Sequence, residues 1–283
     1  MSIAHTNTGD SPEVPPLAAI VDSLPALVLT GAGISVSAGI PTYRNDRGEW
    51  LRSDPITHQE FLNQERQRKR YWGRSLLGWP AVRDAAPGVA HGALAELEKL
   101  QAITHLVTQN VDRLHQRAGS ESVTDLHGRL DRVKCLSCDA QYHRNDIQAT
   151  LAEANPHINR TTIDARPDGD ADMSDELVDS IRIPDCERCG GVLMPDVVFF
   201  GGSIPRDRVA YCRSQLKKAS SLIVVGSSLQ VYSGFRFCRW AGDASKPIFL
   251  INPGTTRADE LGRRWASDAD SALLAVLSTL KQV

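Results

Sequence analysis

The chain has 283 residues, of which 41% are hydrophobic and 23% charged, with a formal net charge of −2. That length can bury a large core, either as one domain or as a domain carrying an insertion. The charge excludes the strong basic excess of a dedicated nucleic-acid surface, and no apolar stretch approaches the roughly 20 residues of a membrane span. Residues 1–16 are polar and Pro-rich, hold Asp10 and Glu13 but no Lys or Arg, and read as a frayed arm, neither a signal nor a transit peptide. A cytoplasmic location is the expectation.

Leu17–Ser23 reads as a short helix and Ala26–Thr30 as a buried strand that runs into Gly31-Ala32-Gly33. A strand ending in glycines and continuing through Ile34-Ser35-Val36-Ser37 is how a phosphate-binding turn opens a helix. Pro55 to Ala85 is helical in pattern and rich in charge. His91–Leu100 places Leu94, Leu97 and Leu100 on one helical face and leads into a strand at Ile103–Thr108. After His127 the texture changes. Residues 132–191 hold two CxxC pairs and a polar centre at Asn155–Ser174, and read as an inserted module. Beyond them a strand is expected at Val197-Val198-Phe199-Phe200, a helix at Arg206–Ser220, and strands at Leu222–Val225 and Phe249–Ile251. Continuous apolar runs separated by helices predict an α/β fold with a parallel sheet covered on both faces.

Cys135 and Cys138, with Cys186 and Cys189, supply four thiolates, the tetrahedral set of a closed structural zinc site. Gly190-Gly191 lets the backbone turn tightly beside the second pair. A redox pair or an iron–sulfur cluster are the rival readings, although a redox site needs only one CxxC. Cys212 and Cys238 stand alone in apolar surroundings and read as buried thiols.

Gly31-Ala32-Gly33 lacks the third glycine of GxGxxG, so by itself it is weak evidence for a nucleotide and is more often a plain turn. The following Gly39-Ile40-Pro41-Thr42-Tyr43-Arg44 adds an arginine able to reach a pyrophosphate with a forked contact. Val225-Gly226-Ser227-Ser228 and Ile251-Asn252-Pro253-Gly254 also follow apolar strands, where open α/β sheets bind ligands. Three such loops in one chain point to a dinucleotide. Thr108-Gln109-Asn110-Val111-Asp112 offers groups suited to ribose hydroxyls and a carboxamide. His127, beside Gly128, suits a general base with a pKa near neutral, although a lone histidine is more often a satisfied structural one.

In order along the chain, these segments resemble the sirtuin family: Thr30-Gly31-Ala32-Gly33-Ile34-Ser35, Gly39-Ile40-Pro41 with Tyr43-Arg44, Thr108-Gln109-Asn110-Val111-Asp112, Leu126-His127-Gly128, the CxxC pairs, Pro195–Gly201, and Gly226-Ser227-Ser228-Leu229. Within the family the chain is most similar to the class II branch, that of mitochondrial sirtuin four, through Arg70-Tyr71-Trp72, Gly78-Trp79-Pro80, Pro167-Asp168-Gly169-Asp170 and Gln230-Val231-Tyr232-Ser233-Gly234. The resemblance implies a Rossmann-like NAD-binding domain over residues 17–44, 86–131 and 192–283. A smaller domain would combine a helical insert, residues 45–85, with the zinc module, residues 132–191.

It further implies an NAD-dependent protein-lysine deacylase. The acyl oxygen attacks the ribose carbon that carries nicotinamide, and neutral His127 takes a proton from a ribose hydroxyl, which attacks the resulting imidate. Free lysine and O-acyl-ADP-ribose are the products. His127 and Asn110 are the implied catalytic residues. The implied NAD set is Gly31, Ala32, Gly33, Ser35, Thr42, Tyr43, Arg44, Gln109, Asn110, Asp112, Gly226, Ser227, Ser228, Asn252 and Ala269. Val197 and Phe200 would line the acyl-lysine tunnel, and Gly201-Gly202 with Leu229–Val231 would clamp the substrate backbone as strands. The expected partners are acyl-lysine proteins, with no nucleic acid and no membrane, and the chain is expected to be a monomer. Gly202, Tyr232-Ser233 and Thr42 depart from the commoner family pattern and bear on substrate choice. Tyr71 and Arg74 lie three apart on one helical face. They match the Tyr-x-x-Arg of desuccinylating members, which implies acidic or branched acyl groups; the plainer reading is a packed aromatic and a solvated arginine. The rival functions are a mono-ADP-ribosyltransferase, an NAD-sensing binder with weak catalysis, and a non-enzymatic zinc-ribbon regulator.

Overall fold

The computed structural model describes residues 16–42, 55–158 and 174–282. Tyr43, Arg44 and the Pro167–Asp170 segment lie outside the described residues. In chain order, α1 (Leu17–Asp22) leads into β1 (Ala26–Thr30) and a 3₁₀ turn at Ala32–Ala38. Next come α2 (His58–Asn63), α3 (Glu65–Asp84), α4 (Val89–Lys99), β2 (Ile103–Thr108), α5 (Leu114–Arg117) and β3 (Val123–Asp125). The middle of the chain forms β4 (Gly128–Cys135), β5 (Gln141–His143), α6 (Arg144–Ala154), α7 (Asp175–Ser180) and β6 (Leu193–Val197). The remainder is α8 (Arg206–Lys218), β7 (Ser221–Val225), α9 (Tyr232–Asp243), β8 (Ile248–Ile251), β9 (Arg263–Trp265) and α10 (Ala269–Leu280).

A six-stranded sheet runs in the order β3-β2-β1-β7-β8-β9, and every neighbouring pair is parallel. All residues of β1, β7 and β8 are buried, as the unbroken apolar runs required of strands covered on both faces. One face packs Val28, Leu106 and Ile223 against Ile20, Leu94, Leu97, Leu273 and Val276 of α1, α4 and α10. The other packs Leu27, Leu29 and Leu250 against Cys212, Leu216, Phe237 and Cys238 of α8 and α9. Burial pushes the Cys238 thiol up to about 12, so this cysteine is an inert packing group. Strand order reverses between β1 and β7. Their carboxyl ends therefore diverge into a crevice, the general ligand position of open α/β sheets.

The smaller domain is a second sheet, β5-β4-β6, antiparallel throughout, with α2, α3, α6 and α7 around it. A core within it joins Phe61, Tyr71, Trp72 and Leu76 of the helical insert to Val133, Ile147 and Leu151 of the zinc module and to Leu193 and Phe199 just after it. Thr57 caps α2 through a reciprocal box with Glu60, which fixes where that helix begins. Arg144 of α6 is sandwiched between Trp72 and Trp79 of α3, 5.4 Å from each ring centroid.

Two expectations need correction here. The strand expected at Val197–Phe200 lies earlier, at Leu193–Val197, and belongs to the antiparallel sheet. Pro195 is tolerated because β6 is an edge strand, where a missing N–H costs no ladder bond. Residues 198–200 leave the sheet, and Phe199 finds its burial among Phe61 and Tyr71 instead, with centroids 4.9 and 5.3 Å away. The small sheet also begins before the inserted module expected from residue 132, because β4 starts at Gly128, directly after His127. Among the described residues no helix is long and apolar enough to cross a membrane.

Candidate active site

Three glycine-bearing loops meet where β1, β7 and β8 end. Gly31 donates its N–H to the Val225 carbonyl at 3.0 Å, Gly33 to Gly226 at 2.8 Å, and Gly226 to Ile251 at 2.9 Å. The contact is backbone on backbone. A Cβ on Gly33 would lie 2.8 Å from Gly226 Cα, and Gly226 itself has φ of +62°, so both positions require glycine. Beside them the strand end of β2 supplies an ordered polar set. Asn110 Nδ2 donates to the Gly31 carbonyl at 3.1 Å and to Ser35 Oγ at 3.0 Å. Ser35 donates to Asp112 Oδ2 at 2.8 Å, while Asp112 Oδ1 accepts the Leu114 N–H at 2.9 Å. Gln109 Nε2 donates to Ser227 Oγ at 2.8 Å, which ties the β2 loop to the β7 loop.

His127 sits across this set. Its Nδ1 is 3.0 Å from the Gln109 carbonyl, which only accepts, so Nδ1 carries the proton and Nε2 presents a lone pair. Ser233 Oγ lies 2.8 Å from that Nε2. Burial drives the ring's pKa down to about 4; the Gln109 carbonyl opposes this, and the Arg208 and Arg236 cations reinforce it. The ring is therefore neutral at pH 7. The expected pKa near neutrality is corrected downward, because the sequence gives no measure of how deeply the ring is desolvated.

A cavity of about 870 Å³ runs from the glycine loops past His127 to the small domain. Lining it are Gly31, Ala32, Gly33, Ser35, Thr42, Gln109, Asn110, Asp112, Gly226, Ser227, Ser228, Asn252 and Ala269, together with Tyr71, Val197, Phe200, Gly201, Leu229 and Val231. The volume falls in the range of small-molecule and cofactor sites. Side-chain-free glycine backbone, hydroxyls and amides at one end fit the phosphates and ribose hydroxyls of a dinucleotide. Apolar Val197, Val198 and Phe199 at the other end fit an aliphatic chain.

Arg74 is buried on α3 but does not line the cavity. Nor do Leu229–Val231 form a strand. Leu229 takes the left-handed region at φ +58° and sends its side chain into the core between the sheet and α9. Sequence reasoning did not anticipate that Ser233, Arg206 and Arg236 line the cavity. Tyr232-Ser233 stood out as a departure from the commoner pattern and as part of the class II likeness, and nothing local points a residue at 233 toward one at 127.

At the far side of the small domain the ligand atoms of Cys135, Cys138, Cys186 and Cys189 all lie within 4.8 Å of one another. Cys135 Sγ is 3.5 Å from Cys189 Sγ and Cys138 Sγ 3.7 Å from Cys186 Sγ, far beyond a disulfide bond. Zinc–sulfur bonds of about 2.3 Å put tetrahedral sulfurs about 3.8 Å apart, so the set fits zinc. The Tyr142 hydroxyl, 3.0 Å from Cys186 Sγ, and backbone N–H groups lower that thiol's pKa to about 6, toward the thiolate that metals bind. A Cβ on Gly191 would meet Ser137 Oγ at 2.5 Å and Cys135 Sγ at 2.9 Å, so the second CxxC turn closes only around glycine.

The Sir2 family model matches residues 31–233, from the first glycine loop to the serine on His127. The chain belongs to the Sir2 family. It is 48% identical over 250 residues to NAD-dependent protein deacetylase 2 of Bradyrhizobium diazoefficiens, covering 88% of this chain and 92% of that one. It is 50% identical over 234 residues to the NAD-dependent protein deacetylase of Xanthomonas axonopodis pv. citri, covering 83% and 80%. A solved structure described as Sir2-p53 peptide-NAD+ superposes with a TM-score of 0.74 at 27% identity, over 94% of this sirtuin and 98% of that chain. The zinc-fitting cysteines and the parallel Rossmann-like sheet are thus those of a sirtuin.

Proposed function

We infer that this sirtuin is an NAD-dependent protein deacetylase that removes acyl groups from lysine side chains. The observation that carries the reading is His127. It is a neutral imidazole with its proton fixed on Nδ1 and its Nε2 lone pair in a cavity that joins a glycine-loop crevice to an apolar sleeve. When bound, NAD supplies the electrophilic ribose carbon and the departing nicotinamide.

The chain's own residues do the rest. The glycine loops accommodate the diphosphate against backbone, and Ser227, Ser228 and Asn252 supply hydrogen bonds on the adenosine side. Asn110 and Asp112 are fixed by Gly31, Ser35 and Leu114, so they meet a nicotinamide ribose without reorganising. His127 takes the proton of a ribose hydroxyl at Nε2, while the Gln109 carbonyl favours the charge that the ring acquires. Val197, Phe199 and Phe200 exclude water from the lysine's aliphatic chain.

Two finer features extend the reading. The class II branch is supported by the Arg70-Tyr71-Trp72 and Gln230–Gly234 segments. A preference for acidic or branched acyl groups is supported by Tyr71 on the cavity wall, one helical turn from buried Arg74. A panel of acetyl-, glutaryl- and methylglutaryl-lysine peptides with NAD, followed by mass spectrometry, tests the whole. NAD-dependent loss of an acyl group that disappears in His127→Ala supports deacylation. Nicotinamide release without an acyl peptide would point instead to ADP-ribosyl transfer. Equal losses on acetyl and glutaryl peptides in Arg74→Met would remove the acyl preference.

A further inference from the structure

We propose that Ser233 is a positioning residue for His127: its hydroxyl occupies the base in the ligand-free protein and is displaced by the ribose hydroxyl that the base takes up. The inference rests on the reading of His127 as the base. Because Nδ1 is committed to the Gln109 carbonyl at 3.0 Å, Nε2 has no proton to give, and Ser233 must be the donor across the 2.8 Å contact. Ser233 also lines the cavity, so it stands on the side from which a ligand reaches Nε2. The other charged groups facing the ring are Arg208 of α8 and Arg236 of α9, and both are cations. Among the described residues no carboxylate shares the role, so a neutral hydroxyl is the resting partner.

The local fold holds this contact in place. Ser233 lies in the first turn of α9, where Gly234 and Phe235 donate to the Val231 carbonyl at 3.1 and 3.2 Å. Farther along, Phe237, Cys238 and Ala241 anchor the helix in the core. Gly234 lets that turn approach closely: a Cβ there would meet Gln109 Oε1 at 2.5 Å and Cδ at 2.9 Å. Gln109 thus grips the ring from one side with its carbonyl while setting the distance of the serine turn on the other. A buried lone pair left without a donor is costly, and Ser233 satisfies it. The reacting hydroxyl must exchange for an existing bond, and that exchange weakens binding of any ligand that carries it.

Calorimetric titration of the zinc-loaded full chain with ADP-ribose and with ADP, which lacks the distal ribose, separates this role from a structural one. Ser233→Ala should tighten ADP-ribose by about three- to tenfold, the worth of one hydrogen bond, and leave ADP unchanged. Ser233→Thr, which restores a hydroxyl, should bind both as the wild type does. In the ligand-free Ser233→Ala protein, the nitrogen-15 resonance of His127 Nε2 should move while Nδ1 stays protonated. Equal changes for ADP and ADP-ribose would overturn the proposal, as would unchanged or weaker ADP-ribose binding in Ser233→Ala. Wild-type protein that fails to bind ADP-ribose would overturn the NAD reading along with it, whereas binding without tightening overturns this proposal alone.

Discussion

The cysteine cluster and the His127 cleft are both assembled from residues far apart in the chain, yet one is closed and the other open. The four sulfurs turn on one another, with Tyr142 and backbone N–H groups filling the shell around them. In the cleft, Asn110, Ser35 and Asp112 are also bonded to one another and Gln109 to Ser227, but they wall a cavity of about 870 Å³. A closed set does structural work and can be lost only with the fold around it. An open set spends its internal hydrogen bonds on orientation and, in the function proposed above, leaves one atom, His127 Nε2, held only by a serine hydroxyl, for chemistry.

The sharpest way to break this contrast is at the metal. A structural zinc contributes on the order of 10–16 kcal/mol, as much as a whole domain's usual stability. Chelation or Cys186→Ser is therefore expected to abolish activity together with the cooperative unfolding of the small domain. Metal analysis and thermal denaturation check it; an unchanged Tm in zinc-free protein would contradict a structural role. In the open site, His127→Ala should lower kcat by about 10²- to 10⁴-fold, the usual share of a general base. ADP affinity should stay within a few-fold, because the fold does not depend on that ring. A calorimetric titration beside steady-state kinetics separates the two effects.

Gly33→Ala sharpens the comparison from within the large domain. Its new Cβ meets Gly226 backbone, which has little room to give, so about 1–3 kcal/mol of stability and most NAD affinity should go. Gly92→Ala on α4 meets nothing within 4 Å and should instead stabilise by about 0.4–1 kcal/mol. Urea titrations of the two variants read the sign directly.

The smallest effect concerns acid. Burial depresses the pKa of His91, His115 and His127 below the ordinary value of 6.5, His127 to about 4. As pH falls below about 6.5 the unfolded chain binds protons that the folded one refuses, so stability is fully present above that pH and declines toward 4. The urea midpoint should fall between pH 7.5 and pH 5, and less steeply in His127→Ala. A midpoint independent of pH would mean that these rings are more hydrated than their burial indicates.

Much of the large domain was legible because β1, β2, β7 and β8 are apolar runs bounded by glycine or polar loops, with few competing readings. Three-residue β3 and β9 carry no periodicity of their own and exist only as edges on a sheet already formed. The run at Val197–Phe200 misled because an apolar segment can bury itself in a side-chain cluster as well as in a sheet. In the site, the cysteines were legible because each pair is local and two pairs make one tetrahedron. The glycine loops and the Gln109–Asp112 set gained meaning only as an ordered series. Arg74 illustrates the limit of helical spacing: it predicts the shared face with Tyr71, but not which residue reaches the wall of the cavity. The Ser233–His127 contact joins elements 106 residues apart and depends on how closely α9 docks, a property of Gly234 and the core beneath it.

The shared core of the small domain has a consequence for how the molecule can be cut. Phe61, Tyr71, Trp72 and Leu76 come from a segment that the chain completes before β2, whereas Val133, Ile147, Leu151 and Leu193 come long after it. A fragment spanning only residues 128–197 would keep all four cysteines but leave one side of its apolar interior facing water. Such a piece should capture metal and still aggregate. The two insertions are thus halves of one unit, and neither is portable to another scaffold without the other.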